Sequence, residues 1–197
     1  MITGAIMAGG RSSRFGSDKA LLEYGGQILL QRTAGVLRNA GLDVLIVGPP
    51  ERGEQAPGVA AVQDEYPGIG PLGGICTALH ARPHGVLAVA VDMPFLSAPL
   101  LRYLASLAAE ADVVLPIVDG RGQQLHAVYG PACLPHIEAQ IARGDYKIDR
   151  FFGHVRVRRV EEPELRRFDP ELRSFRNINT RESWQALLGE LSAHPQR

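Results

Sequence analysis

Five short aliphatic runs, most of them followed by a longer stretch of helical periodicity, constrain this chain more than any other feature. "TGAIM" (3–7), "DVLIVG" (43–48), "VAAVQ" (59–63), "VLAVAVD" (86–92) and "DVVLPIV" (112–118) are mostly apolar at successive positions. A half-solvated strand alternates apolar and polar residues, so runs of this kind must be covered on both faces, as in a parallel sheet flanked by helices. Between them, Leu29, Leu30, Thr33, Val36, Leu37 and Ala40 recur at helical spacing, as do the apolar residues of "LGGICTALHA" (72–81) and "APLLRYLASLAAEA" (98–111). Ser97, with Pro99 just after it, predicts the start of the last of these helices. The alternation predicts an α/β fold of three layers around a mostly parallel sheet.

Past Val118 the pattern changes. "DGRGQQLHAVYG" (119–130) sets a polar, glycine-containing turn before a β-type run at 124–129, which predicts a mixed C-terminal part of the sheet. A helix over "ACLPHIEAQIARG" (132–144) ending at Gly144, a weaker strand near 155–160 and a final helix from Thr180 to about Leu191 follow. A chain of 197 residues with 45% hydrophobic content can bury the core of one sizeable domain, and a single domain is expected. Its 21 basic and 21 acidic residues cancel, leaving no global field to hold nucleic acid. The mixed charges from Arg156 to Arg173 read as a solvated face. Cys76 and Cys133 fit no Cys-x-x-Cys spacing, so buried free thiols are expected and no zinc site. No apolar run approaches the roughly 18 residues of a membrane span, and the start lacks a signal sequence, so a soluble cytoplasmic protein is expected.

"MAGGRSSRFGSDKALL" (7–22), directly behind the first strand, is more than a chain reversal needs: it combines Gly9, Gly10 and Gly16 with Arg11, Arg14 and Lys19. A Walker A loop requires Gly-x-x-x-x-Gly-Lys-Ser/Thr, and here Gly16 is followed by Ser17-Asp18-Lys19. A dinucleotide fingerprint requires an acidic residue at the end of the second strand, where this chain reads "VGPP" (47–50). What remains is a loop of backbone amides and basic side chains at the carboxyl edge of a parallel strand, which suits a phosphate chain. The alternative is a glycine loop with solvated basic residues.

"VLAVAVDMPFLSAPLL" (86–101) brings Asp92 to the same edge. Ser97 already serves as the helix cap, which leaves Asp92 for a magnesium ion bridging to phosphate oxygens; a solvated strand-end aspartate is the alternative. In "QDEYPGIGPLGGICTALH" (63–80), Gly68, Gly70, Gly73 and Gly74 would let the backbone approach a flat ligand beside Asp64, although Asp64 viewed alone is equally an ordinary turn residue.

Taken in order, the glycine loop, "GIGPLGG" (68–74), "VDMPF" (91–95) and "FRNINTRESWQALL" (175–188) resemble the molybdenum cofactor guanylyltransferases, the MobA-like nucleotidyltransferases, from Gly4 to about Leu188. The family opens Leu-Ala-Gly-Gly, a spacer, Arg-Met-Gly, then Asp-Lys. Ala8, Gly9, Gly10, Arg14, Gly16, Asp18 and Lys19 fit this, with Met7 and Phe15 replacing leucine and methionine. The chain departs from the family at Gly26-Gln27-Ile28-Leu29, for Gly-x-Pro-Leu, and at Arg181-Glu182-Ser183, for Pro-Glu-Asp.

The resemblance implies a Rossmann-like nucleotidyltransferase fold, with a nucleotide-binding half at about 1–110 and a cofactor-substrate half at about 111–191. It implies GTP held by Met7, Ala8, Gly9, Gly10, Lys19, Asp64, Gly73 and Asp92, magnesium (Mg2+) on Asp92, and Asn177 and Asn179 near the pterin. Arg14, Lys19 and Asp92 would carry catalysis. The implied reaction transfers GMP from GTP to the terminal phosphate of molybdopterin, and molybdoenzymes or their chaperones would be the recipients. A related cytidylyltransferase would read Ala-Ala-Gly at Ala8-Gly9-Gly10, and a sugar-1-phosphate nucleotidyltransferase would need a longer sugar-binding region. A GTP-binding maturation partner without turnover is the competing class.

Overall fold

The structure is a computed structural model that describes residues 1–9 and 18–193. Its strands are β1 (Thr3–Met7), β2 (Glu23–Tyr24), β3 (Gln27–Ile28), β4 (Asp43–Gly48), β5 (Ala60–Gln63), β6 (Val86–Ala90), β7 (Val113–Val118), β8 (Arg121–Gly122), β9 (His126–Tyr129) and β10 (Val157–Val160). Its α-helices are α1 (Leu29–Asn39), α2 (Arg52–Gln55), α3 (Pro71–Ala81), α4 (Ala98–Ser106), α5 (Leu134–Ala142), α6 (Glu162–Leu165) and α7 (Arg181–Ala193). The main sheet runs β10-β7-β9-β6-β1-β4-β5, with β8 paired to β7. The block β6-β1-β4-β5 is parallel, β9 is antiparallel to both β6 and β7, and β10 is parallel to β7. A mostly parallel sheet with a mixed C-terminal part is therefore what forms.

Successive residues of β1 enter different cores, as the unbroken apolar runs require. Ile6 and Ala8 lie in the cluster that holds Leu30 and Leu37 of α1 and Leu100 and Leu104 of α4. Ala5 and Met7 lie with Ile75 and Leu79 of α3 and Ile137 of α5. Gly74 makes the second contact close, because a Cβ there would stand 2.8 Å from the Met7 sulfur.

The boundaries differ from expectation where the chain turns. β6 ends at Ala90 rather than Asp92, and 98–111 is split into α4 and a 3₁₀ turn, Leu107–Ala109. The hairpin of β2 and β3 was not legible, since strands of two residues carry no periodicity; Gly25 and Gly26, with φ of 61° and 78°, supply its turn. The charged stretch at 156–166 is a solvated face laced with pairs such as Arg156–Asp112 at 3.0 Å and Arg166–Glu162 at 2.8 Å. No helix among the described residues is long and apolar enough to cross a membrane.

The chain steps outward from β1 through β4 to β5, then returns to place β6 on the other side of β1. This reversal opens a crevice at the carboxyl ends of β1 and β6, where open α/β sheets receive ligands.

Candidate active site

At that crevice three segments distant in sequence converge. β1 and β6 run in register to Met7 opposite Ala90, and one more bond, from the Val91 amide to the Met7 carbonyl at 3.4 Å, carries the pairing beyond the last strand residue. Asp92 follows in the turn, and its carbonyl accepts the Ile178 amide at 2.9 Å. This bond brings Asn179 alongside. The Lys19 Nζ then stands 2.8 Å from Asp92 Oδ2 and 3.1 Å from Asn179 Oδ1. The Lys19 and Asp92 side chains are only 15% and 18% exposed, so the pair is poorly screened by solvent. Lys19, Asp92 and Asn179 are brought together; Asn177 lies one residue before the Ile178 bond and is exposed.

Lys19 starts a 3₁₀ turn, Lys19–Leu21, capped by Asp18, whose Oδ1 accepts the Ala20 amide at 3.1 Å. Asp18 also pairs with Arg52 at 2.8 Å. Arg52 gave no signal in the sequence: one arginine after Pro49-Pro50-Glu51 looks like any solvated charge. It is buried, and its Nε donates to the Ala8 carbonyl at 3.1 Å.

Met7 and Ala8 are buried at the end of β1. Beside them Gly48 closes β4 so tightly that a Cβ would lie 3.0 Å from both the carbonyl carbon and oxygen of Ala8. Asp64 lies across from Gly9, with Oδ2 3.7 Å from the position a Gly9 Cβ would take. Its other oxygen accepts the Tyr66 amide at 2.9 Å, an Asx turn, so one carboxylate serves the turn and the edge of the crevice together. Gly73 is a different case: a Cβ there would meet Tyr66 Cβ at 2.8 Å and Ile69 Cγ1 at 2.9 Å. The space that its missing side chain leaves is filled by the protein's own loop. Gly10, Arg11 and Arg14 lie outside the described residues.

The segment leading to Asn177 and Asn179 is pinned under the loop behind Asp92. The Ser174 amide donates to Asp169 at 2.8 Å, the Ser174 hydroxyl to the Phe95 carbonyl at 3.2 Å, and the Ser97 amide to the Ser174 oxygen at 2.9 Å. Ser97 also caps α4, as expected, by accepting the Leu100 amide. The guanidinium of Arg173 lies 4.2 Å from the Phe95 ring centroid, and Tyr24 meets that ring edge-on. Tyr24, Leu29, Ile178 and Leu187 form a small third core that ties α7 and the β2–β3 hairpin to this side. The departure at Arg181-Glu182-Ser183 keeps the last helix capped: the Ser183 amide donates to Thr180 Oγ1 at 3.1 Å and its hydroxyl to the Thr180 carbonyl at 2.7 Å.

The chemistry open to these residues is charge neutralisation. Burial pushes the Cys76 thiol up to about 11 and the Cys133 thiol up to about 12, so neither is a ready thiolate nucleophile. His126 is fully buried with both ring nitrogens unpartnered among the described residues, and burial pulls it down to about 4. Its ring lies 4.6 Å from that of Phe175, tilted by 39°, and so enclosed it is no proton carrier for the crevice. No group of three or more His, Cys, Asp or Glu side chains that could hold a metal occurs among the described residues. Asp92 offers one carboxylate at the crevice, a donor that suits an ion completing its shell with phosphate oxygens and water, as magnesium does.

Residues 4–160 match the MobA-like NTP transferase domain. A protein from Pelotomaculum thermopropionicum named "Probable molybdenum cofactor guanylyltransferase" is 39% identical over 179 residues, covering 90% of this chain and 87% of its own. The molybdenum cofactor guanylyltransferase of Desulfosudis oleivorans is 32% identical, covering 92% of this chain and 91% of its own. The crystal structure of molybdopterin-guanine dinucleotide biosynthesis protein A from Archaeoglobus fulgidus superimposes with a TM-score of 0.84 at 25% identity, covering 98% of this chain and all of that one. A Rossmann-like sheet whose crevice gathers a lysine, an aspartate and an asparagine, matched over most of its length by these proteins, makes this chain a nucleotidyltransferase of the MobA-like NTP transferase family.

Proposed function

We propose that the chain transfers GMP from GTP to the terminal phosphate of molybdopterin, forming the guanine dinucleotide form of the molybdenum cofactor and releasing pyrophosphate. One observation carries the assignment of residues: the Lys19 ammonium is shared between Asp92 and Asn179 at the mouth of the β1–β6 crevice. The names of the relatives support the choice of substrates. The terminal phosphate is already an oxyanion, so its oxygen attacks the α-phosphorus without a general base while the bond to the β-phosphate oxygen breaks. Alignment and charge neutralisation suffice. Lys19 binds the triphosphate, and Arg14, by the family resemblance, joins it in stabilising departing pyrophosphate. Met7, Ala8 and Gly9 form the floor under the nucleotide with Asp64 at its edge, Gly10 joins them in binding it by the family resemblance, and Asn177 and Asn179 face the pterin. Asp92 is the residue that would hold magnesium, and the bound ion supplies neutralisation of phosphate charge. The nucleotide-binding half comprises about 1–110 and the acceptor half about 111–191 of one domain. The enzyme works in the cytoplasm and delivers its product to molybdoenzymes or their chaperones.

The test is pyrophosphate release from each nucleoside triphosphate in the presence of magnesium and molybdopterin. GTP is expected to be used at least about tenfold better than CTP, roughly 1.4 kcal/mol and within reach of one buried hydrogen bond. Equal or faster turnover with CTP would reassign the chain to the cytidylyltransferases, and GTP binding without turnover would make it a maturation partner.

A further inference from the structure

Arg52 is only 5% exposed, and each nitrogen of its guanidinium is engaged. Nε donates to the Ala8 carbonyl at 3.1 Å, Nη1 to Gln55 Oε1 at 2.7 Å and Nη2 to Asp18 Oδ1 at 2.9 Å. Gln55 is itself tied to α1, since its carbonyl accepts Gln31 Nε2 at 2.9 Å. The Arg52 side chain is 6% exposed and that of Asp18 42%, so the burden of the pair is the guanidinium, which is costly to take out of water unless its donors are matched. Here the cost falls at the carboxyl end of β1, where Ala8 leaves the sheet.

The partners form a continuous path. Arg52 grips the last buried residue after β1 on one side and Asp18 on the other. The Asp18 oxygen that receives Nη2 also receives the Ala20 amide, and so fixes the 3₁₀ turn from which the Lys19 side chain extends to Asp92 and Asn179. The planar fork reaches a carbonyl, an amide oxygen and a carboxylate from three separate nitrogens, whereas an ammonium offers its donors from one point.

We propose that Arg52 is a positioning residue for nucleotide binding: by tying the Ala8 carbonyl to Asp18 it sets where Lys19 meets the triphosphate. The proposal rests on the assignment of Lys19 to phosphate and concerns a residue that does not itself touch the nucleotide.

Equilibrium titration of the full chain with GTP, and separately with inorganic pyrophosphate, tests it together with thermal unfolding of each variant. Arg52→Gln is expected to raise the Kd for both ligands about tenfold or more while the protein still unfolds cooperatively. Asp18→Asn should weaken binding in the same direction, and the double variant should be no more than about twofold worse than the poorer single, since both interrupt one path. Arg52→Lys keeps the charge but loses the fork, so its Kd should stay at least about fivefold raised. If Arg52→Gln does not fold, Arg52→Lys and Asp18→Asn carry the test. A purely structural role would lower the melting temperature and leave the Kd of the folded protein within about twofold of the wild type, and that result overturns the proposal. Full recovery in Arg52→Lys would also overturn it, by showing that charge alone matters. A wild-type chain that binds neither GTP nor pyrophosphate would remove the functional assignment and this inference together; normal wild-type binding with an indifferent Arg52 removes the inference alone.

Discussion

Replacing Asp92 with asparagine separates charge from shape at the crevice. The side chain keeps its size and an oxygen for Lys19, while the ion pair at 2.8 Å is lost. Neither partner is fully buried, at 15% and 18% exposure, so the cost to folding lies above that of a surface pair and well below that of a stranded buried charge, about 1 kcal/mol. For a chain of this size that is a fall in Tm of about 2–4 °C. Turnover should suffer far more if Asp92 fixes an ion against the reacting phosphates, as proposed: about a hundredfold to a thousandfold, or roughly 2.7–4 kcal/mol. The sign of a third quantity separates the two roles. GTP binding in the absence of metal should hold or improve, since a negative charge near the phosphates has gone and Lys19 is released from its partner. Pyrophosphate release followed against magnesium concentration for both proteins, with metal-free GTP titration, measures all of this. Turnover within about threefold of wild type at saturating magnesium, under roughly 0.7 kcal/mol, would exclude Asp92 as the principal ligand.

Two further outcomes follow from the packing. Gly48→Ala places a methyl 3.0 Å from the Ala8 carbonyl and 3.2 Å from the Gly9 amide nitrogen, atoms of the backbone that cannot rotate away. It should cost about 1–3 kcal/mol and weaken GTP binding, and denaturation and titration curves that overlay the wild type would show that the strand end is not so constrained. His126, held at about 4 against an ordinary 6.5, takes up a proton more readily once unfolded, so its contribution is complete above about pH 6.5 and is lost as pH falls toward 4, by up to about 3 kcal/mol. Urea unfolding between pH 4.5 and 7.5 should show that slope, and His126→Phe, which removes two unpartnered nitrogens, should flatten it without loss of stability at neutral pH; an unchanged slope refutes the assignment. His80, bridging Glu65 at 2.7 Å and Glu138 at 2.9 Å, is raised by those carboxylates and acts oppositely: its contribution is present below its ordinary range and lost as pH rises through its raised value.

The sheet was legible because its signal is local. A strand covered on both faces must be apolar at successive positions, and "TGAIM" and "DVLIVG" became β1 and β4 at the expected residues. Ser97 was legible for the same reason, since a cap acts within one turn of its own helix. Asp92 was found two residues beyond its strand, still at the right edge, because a parallel strand delivers whatever follows it to one side of the sheet.

What the linear chain could not express is partnership across distance. Nothing near Lys19 says that its ammonium will be shared by residues 73 and 160 positions away, and nothing near Gly73 that Tyr66 will fill the space beside it. Arg52 is the clearest instance: in sequence it is one charge among many in a neutral chain, and its meaning comes from burial, which makes each hydrogen bond of the fork obligatory. Sequence by itself determined which segments form most of the main sheet and that Lys19 and Asp92 reach its carboxyl edge, because periodicity, caps and strand direction act over a few residues. Only the tertiary structure decided which of those residues touch, because ion pairs and close backbone approaches depend on where folding places groups that the chain keeps far apart.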